Sequence, residues 1–192
     1  KIFAKNNASS ICIIINGRQP STLALLEELK KSYPIEIVVK DTESSMHSLY
    51  ALSPLLQGDR FCLTTVDTLF DEEEFTAYIK KFQAGNCDGM MAVTDFVDDE
   101  KPLYVETDEN LFITDFCDSA KPGTRYISGG IYGLTPLALD ILQKCIDEGV
   151  ERMRNFQRRL VKEGLRLKAC PLGKILDIDH AEDIAKAEEF LA

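Results

Sequence analysis

A mostly apolar run that ends in an acid decides how this chain folds. It reads Phe61-Cys62-Leu63-Thr64-Thr65-Val66-Asp67-Thr68-Leu69-Phe70. The apolar part predicts a strand buried by other elements, and Asp67 follows it directly. A carboxylate at that position has to emerge at the rim of a sheet, because burying it without a partner costs free energy. In open α/β sheets, ligands bind at the rim formed by the carboxyl ends of the strands.

A second acidic strand end lies far along the chain, in Ile175-Leu176-Asp177-Ile178-Asp179-His180-Ala181-Glu182-Asp183. Asp177 and Asp179 are two residues apart, so on a strand they point to the same side. A capping box with Glu182 at the start of the following helix accounts for Asp179, whereas Asp177 has no such structural role. Acids on neighbouring strands form an oxygen site for a divalent cation. We therefore predict that Asp67 and Asp177 hold a metal ion, with Asp179 as a further candidate ligand.

The alternation of strands and helices predicts an α/β fold. Apolar runs at 11–15, 35–39 and 89–96 are typical of strands, and helical patterns separate them. We expect three layers, with a mostly parallel sheet that carries helices on both faces. A hairpin near 103–116 is predicted as a small antiparallel insertion over the carboxyl edge of the sheet. No repeat or linker is evident, so 1–192 is predicted to form a single domain.

Charge and cysteine spacing restrict the class of partner. The chain has 32 acids against 22 bases, which gives a net charge of −10. This charge argues against broad binding to nucleic acid or to an anionic membrane, and no apolar run is long enough to cross a bilayer. The six cysteines lie 25 or more residues apart and form no CxxC pair. Zinc and iron–sulfur sites are therefore discounted, and reduced thiols in a cytoplasmic protein are expected.

Three motifs in a fixed order resemble those of the nucleotidyltransferase superfamily. They are the apolar strand that ends in Asp-Thr-Leu-Phe at 67–70, the segment Ser128-Gly129-Gly130-Ile131-Tyr132-Gly133-Leu134, and the acidic segment at 177–184. The superfamily includes sugar-phosphate nucleotidylyltransferases, phosphocholine cytidylyltransferases and molybdenum-cofactor guanylyltransferase-like proteins. The resemblance covers most of the chain and implies a Rossmann-like, nucleotide-diphospho-sugar transferase-like fold.

The resemblance also implies an activity. Such an enzyme of nucleotide-sugar metabolism moves a nucleoside monophosphate from a nucleoside triphosphate to a phosphorylated acceptor and releases pyrophosphate. The acceptor would be a sugar 1-phosphate or a phosphocholine-like compound, and the cofactor Mg²⁺. Its partners would be these small molecules, with neither nucleic acid nor membrane. The base, the acceptor and assembly into a homo-oligomer stay open.

Site residues follow from the same resemblance. It implies that Asp67 and Asp177 hold Mg²⁺ against the nucleotide phosphates. It also implies that the turn at Gly129 and Gly130 lets the backbone approach the acceptor, a role that glycine suits because it has no side chain.

Other polar residues are assigned by the resemblance and keep a structural alternative. Lys121 falls where relatives have a lysine that contacts the acceptor phosphate, and a surface lysine is the alternative. Glu106 lies near a position that contacts the sugar, and a solvated hairpin acid is the alternative. Ser45 and Ser48 lie in a segment that resembles the base-binding loop, and a helix cap is the alternative for either. His47, beside them, is more typical of a surface or packing residue.

The chain departs from the family at its amino end. The family has a glycine-rich loop with a basic residue, whose backbone amides cradle the triphosphate, and no counterpart precedes Lys1. We therefore expect a sequence that is truncated at its amino end and, by itself, poorly active. Two other functions stay open, a non-catalytic nucleotide-binding or regulatory module of the same fold and a glycosyltransferase. The second would want an Asp-x-Asp, which 67–69 lacks.

Overall fold

The computed structural model describes residues 1–56, 58–97, 101–178 and 183–191, with the backbone alone at 177, 184–186 and 191. The chain is α/β, as predicted. In chain order the elements are α1 (Ile2–Lys5), β1 (Ile11–Ile15), α2 (Pro20–Lys30), β2 (Ile35–Val39), α3 (Ser45–Leu52), β3 (Phe61–Thr64), β4 (Thr68–Leu69), α4 (Glu72–Ala84), β5 (Gly89–Thr94), β6 (Tyr104–Thr107), β7 (Ile113–Cys117), β8 (Tyr126–Leu134), α5 (Leu137–Asp147), α6 (Met153–Lys162), β9 (Leu167–Pro171), β10 (Leu176–Asp177) and α7 (Asp183–Leu191). Within the described ranges, no helix combines the length and apolar content that a membrane span requires.

Contacts within the chain form two compact units. The first comprises residues 1–59 and 136–159, and the second comprises 60–135 and 160–192. In the first unit, β1 and β2 form a two-stranded parallel ladder with Ile11 opposite Ile35. Helices α3 and α5 of this unit contact each other and bury their apolar faces.

The second unit contains a six-stranded sheet in the order β7-β6-β8-β5-β9, in which β3 also pairs with β8. Strands β5 and β9 are parallel, whereas β3, β5 and β6 each run antiparallel to β8, and β7 runs antiparallel to β6. The prediction of a mostly parallel sheet is not confirmed, because this sheet is mixed. A parallel neighbour needs a long crossover, usually a helix, and no helix is described between β5 and β8. The predicted hairpin, β6–β7, is antiparallel and joins the sheet through β8, and its turn also bonds to β9, where the Ala169 N–H donates to the Leu111 carbonyl at 2.8 Å.

A tyrosine side chain joins two strands in the core of the second unit. Met90 and Gly133 are opposite each other on β5 and β8. The hydroxyl of Tyr78 donates to the Met90 carbonyl at 2.6 Å and accepts from the Gly133 N–H at 2.6 Å. A Cβ on Gly133 would lie 2.8 Å from the ring of buried Phe82, so close packing requires glycine there. Burial raises the pKa of Tyr78, so the phenol stays protonated and remains a donor.

Helix α4 is held at both ends by side chains. Asp71 accepts hydrogen bonds at 2.9 Å from the N–H groups of Glu73 and Glu74, so it is the N-cap. The Glu74 carboxylate accepts a hydrogen bond from the Gly173 N–H at 2.9 Å. This bond attaches the first turn of the helix to the segment after β9. At the other end, the guanidinium of Arg60 donates to the carbonyls of Phe82 at 2.9 Å and Gly85 at 2.7 Å.

Arg60→Ala is expected to lower the free energy of unfolding by about 1–3 kcal/mol, because two helix-end carbonyls lose a charged donor. The guanidinium also stacks on the Phe82 ring at 4.9 Å from its centroid, and the variant loses this packing. Urea denaturation measures the change. Arg60→Lys should be intermediate, since one ammonium retains the charge but not the two-pronged geometry. A variant as stable as the parent would contradict this role.

Candidate active site

Three strands of the second unit end at the same rim. Strands β3 and β5 both run antiparallel to β8, and β9 runs parallel to β5, so their carboxyl ends point the same way. The segments that leave these ends carry Asp67 after β3, Asp95 after β5, and Lys174 after β9. The rim therefore combines acids and a base where an α/β sheet places its ligands.

The two acidic strand ends meet through their backbones. Strands β4 and β10 form a short antiparallel ladder in which Thr68 is opposite Asp177. The Ile178 N–H donates to the Asp67 carbonyl at 3.1 Å, so the segments predicted to converge lie side by side. The Asp67 carboxylate is exposed and forms no hydrogen bond or ion pair with any residue that the structure describes. The side chain of Asp177 and all of Asp179 lie outside the described part, so shared metal binding stays a prediction.

Gly129 and Gly130 lie inside strand β8 rather than in the predicted turn, and both are closely packed against these strand ends. A Cβ on Gly129 would lie 2.4 Å from Cδ1 of Ile175 and 3.2 Å from the Ala92 carbonyl oxygen. Gly130 has a φ of +72°, which favours glycine, and a Cβ there would lie 3.2 Å from Oγ1 of Thr68. The glycines therefore let β8 pass directly beside the segments that carry the two acids. Their contact with an acceptor stays a prediction.

A second cluster lies on the β6–β7 hairpin and the loop that follows it. Glu106 and Asp115 are opposite each other on β6 and β7. The hydroxyl of Thr124 donates to the Glu106 carboxylate and accepts a hydrogen bond from the backbone N–H of Lys121 at 2.8 Å. The ammonium of Lys121 lies 3.1 Å from Oδ2 of Asp115. The structure thus brings Lys121 and Glu106, two residues assigned separately from the sequence, into one network.

This network shifts the titration of its acid. Burial raises the pKa of Asp115, but hydrogen bonds from the Cys117 thiol, Lys121 and the Phe116 N–H outweigh it, so that the pKa is lowered. For Lys121, hydrogen bonds to Cys117 and to Asp115 raise the pKa. Asp115 therefore stays ionised, and Lys121 charged, at neutral pH.

Lys121→Met is expected to raise the pKa of Asp115 towards its ordinary value, because the variant removes a donor and a positive charge. NMR titration of the carboxyl carbon measures the shift. Lys168→Met, which removes a lysine on β9 that stacks on Phe112, should leave Asp115 unchanged. Equal titration curves for the parent and Lys121→Met would contradict the contact.

Sequence reasoning missed a turn that joins two strand ends. The buried Thr94 hydroxyl donates to the Gly173 carbonyl at 2.6 Å and accepts from the Phe96 N–H at 3.1 Å. Lys174, which follows Gly173, extends its ammonium over the Phe96 ring, 4.9 Å from the centroid. The only signal in the sequence was a Gly-Lys pair between two strands. Nothing in that pair indicates which loop it faces.

Comparison with known proteins identifies the fold. No family model and no curated protein matches the chain. Among solved structures, an inositol-1-phosphate CTP transferase from T. maritima has a TM-score of 0.82 and 18% identity, over 99% of this chain and 78% of that chain. A protein described as a glucose-1-phosphate thymidylyltransferase from Bacillus anthracis has a TM-score of 0.81 and 16% identity, over 98% and 78%. HddC from Yersinia pseudotuberculosis has a TM-score of 0.73 and 15% identity, over 100% and 82%.

The chain has the nucleotidyltransferase fold. The resemblance predicted from the three ordered motifs is therefore confirmed at the level of the fold. At identities of 15–18% the similarity shows the fold alone and does not assign roles to individual residues.

The serines predicted to contact the nucleotide belong to the first unit of this nucleotidyltransferase fold. Ser44, rather than Ser45 or Ser48, occupies the N-cap position of α3. Ser45 is exposed, and the Ser48 hydroxyl lies 2.7 Å from the Thr42 hydroxyl and donates to the Ser44 carbonyl at 3.3 Å. His47 is half-buried, with Nδ1 2.9 Å from the Ser44 hydroxyl, so it supports the local turn. Contact of Ser45 or Ser48 with a nucleotide stays a prediction.

Proposed function

We propose that the protein is a nucleotidyltransferase that moves a nucleoside monophosphate from a nucleoside triphosphate to a small phosphorylated acceptor and releases pyrophosphate. The observation that carries the proposal is the β4–β10 ladder, which sets Asp67 beside the backbone of Asp177 at the strand ends. The neighbours support the acceptor class. Two of them are named for inositol 1-phosphate and glucose 1-phosphate, which are both phosphate monoesters. We extend this class to the present chain, and we place the protein in the cytoplasm because all six cysteines are free thiols.

Asp67 suits Mg²⁺ as a cofactor. Its carboxylate is a hard oxygen donor, exposed at the rim, with no partner among the described side chains. Mg²⁺ usually takes one or two protein carboxylates together with substrate phosphates, so Asp67 with Asp177 would suffice, and Asp179 is the further candidate. The described residues contain no group of three or more His, Cys, Asp or Glu side chains placed to bind a metal. When bound, Mg²⁺ supplies neutralisation of the charge on the nucleotide phosphates.

In this reaction the protein's main task is to position the two substrates. An oxygen of the acceptor phosphate attacks the α-phosphorus, a new P–O bond forms, and the bond from that phosphorus to the leaving pyrophosphate breaks. The attacking oxygen is already anionic, so no side chain has to remove a proton from it. The chain's contribution is to hold the two phosphates in line and to offset their repulsion.

Lys121 is proposed to contact the acceptor phosphate. Its ion pair with Asp115 is exposed, since the two side chains are 52% and 53% accessible. Exposed pairs contribute little to stability, so Lys121 can exchange the carboxylate for a phosphate at small cost. Glu106, fixed by Thr124, is proposed to accept hydrogen bonds from acceptor hydroxyls.

The test is a matrix of substrates. The full-length protein, with any residues that precede Lys1, is incubated with Mg²⁺, each common nucleoside triphosphate, and each of several sugar 1-phosphates, inositol 1-phosphate and phosphocholine. Pyrophosphate release is followed by a coupled assay, and the nucleotide-linked product by mass spectrometry. We expect one combination to give both products in equal amounts. Nucleotide binding by calorimetry without a product from any combination would instead identify a non-catalytic binding module.

A further inference from the structure

Lys174 lies in the segment between β9 and β10, and its side chain contacts two aromatic rings. Its ammonium lies 4.9 Å from the centroid of Phe96 and 5.9 Å from that of Phe190. The residue is exposed, and among the described side chains no carboxylate pairs with it, although the chain has 32 acids. Two other bases of the second unit do pair with acids, Lys121 with Asp115 at 3.1 Å and Arg125 with Asp95 at 3.3 Å.

The backbone just before Lys174 is fixed by two hydrogen bonds of Gly173. The peptide groups of the preceding Gly173 donate to Glu74 at 2.9 Å and accept from the Thr94 hydroxyl at 2.6 Å. The same hydroxyl accepts the Phe96 N–H at 3.1 Å, which ties the aromatic loop to the lysine turn. Thr94 is buried, with 1% of its surface accessible, so this arrangement is part of the packed core. The backbone from which the Lys174 side chain extends is therefore placed before any ligand arrives.

An ammonium held by ring faces keeps its N–H donors available. The rings attract the positive charge through their quadrupoles, yet they do not satisfy its donors as carboxylate oxygens would. At the strand-end rim, Asp67 after β3 has no partner among the described residues, whereas Asp95 after β5 is paired with Arg125. A phosphate that approached this rim would meet repulsion, which a fixed positive charge offsets.

We propose that Lys174 is a binding residue for phosphate oxygens at the strand-end rim. Its compact ammonium on a flexible stem suits a phosphate oxygen as a point charge. The inference deepens the proposed function and rests on it for the nature of the ligand, which is the phosphate of the acceptor or of the nucleotide. The assignment of Lys174 itself rests on the aromatic and backbone contacts.

The experiment measures binding of inorganic pyrophosphate by calorimetry at constant ionic strength. Lys174→Gln is expected to raise the Kd about tenfold or more, the usual effect of losing one charge-assisted hydrogen bond. Lys174→Arg should restore most of the affinity. Lys168→Gln is the matched control, since Lys168 also stacks on a ring, that of Phe112 at 5.3 Å, and its loss changes the net charge equally. The control is expected to bind like the parent.

Two outcomes would overturn the inference. One is equal weakening by Lys174→Gln and Lys168→Gln, which would assign the effect to overall charge. The other is the absence of detectable pyrophosphate binding by the parent protein. Binding that depends on Lys174, without a product from any substrate combination, would reject the proposed function and leave the anion site standing. Transfer that depends on Asp67, with pyrophosphate binding insensitive to Lys174, would reject only this inference.

Discussion

In the full-length protein, Asp67→Asn is expected to lower nucleotidyl transfer about 1,000-fold or more, because a neutral amide cannot replace a carboxylate in holding Mg²⁺ against the phosphates. The fold should be unaffected. The Asp67 side chain is exposed and bonds to no described residue, and the contact with Ile178 uses the Asp67 carbonyl, which the variant keeps. Steady-state assays of pyrophosphate release measure the activity, and thermal unfolding checks the fold.

Asp71→Asn is the matched control for this experiment. It makes the same chemical change four residues further on, at the N-cap of α4. Asparagine caps helices as well as aspartate, so stability and transfer should both stay near those of the parent. Transfer by Asp67→Asn within about tenfold of the parent would contradict the metal assignment, because loss of a ligand carboxylate should cost several kcal/mol of transition-state stabilisation.

Tyr78→Phe is expected to lower the free energy of unfolding by about 2–4 kcal/mol, because two buried backbone groups lose their partner. The Met90 carbonyl and the Gly133 N–H both bond to the phenol, and Tyr78 is fully buried. Tyr50→Phe is the control, since its hydroxyl donates at 2.9 Å to Gln143 in an exposed position. Urea denaturation should show a small change for the control. Equal effects would contradict the role of the buried bridge.

Alkaline pH offers a second readout of the same residue. Burial raises the pKa of Tyr78 well above its usual value, so the folded state keeps it neutral where the unfolded state ionises it. Its contribution to stability is therefore full below a pH of about 10 and is lost as the pH rises further. Tyr78→Phe should remove this part of the alkaline loss.

Local patterns in the sequence predicted local structure well. The strands predicted at 11–15 and 35–39 have those bounds, because a run of apolar β-forming residues depends only on neighbouring residues. The β6–β7 hairpin was predicted for the same reason. The β4–β10 pairing could be anticipated only because both acidic segments stood at predicted strand ends.

Contacts between distant segments could not be read from the sequence. The directions of the strands beside β8 depend on which strand each one pairs with. The alternation of strands and helices in the sequence does not reveal these pairings. Glu74 stands three residues after the N-cap Asp71, which is the spacing of a capping box. Its carboxylate nevertheless accepts from the N–H of Gly173, which lies 99 residues away. Lys174 belongs to the rim only because Thr94 joins two loops, a contact between residues 79 apart.

Helix α4 bonds to the rest of the second unit at three levels along its length. Glu74 holds its first turn, Tyr78 lies between two strands at its middle, and Arg60 binds its last carbonyls. The helix therefore cannot peel away turn by turn, since each step breaks a bond to another segment. We therefore expect detachment of this helix and opening of the sheet to be one cooperative event, with the central amides exchanging with solvent mainly through that event.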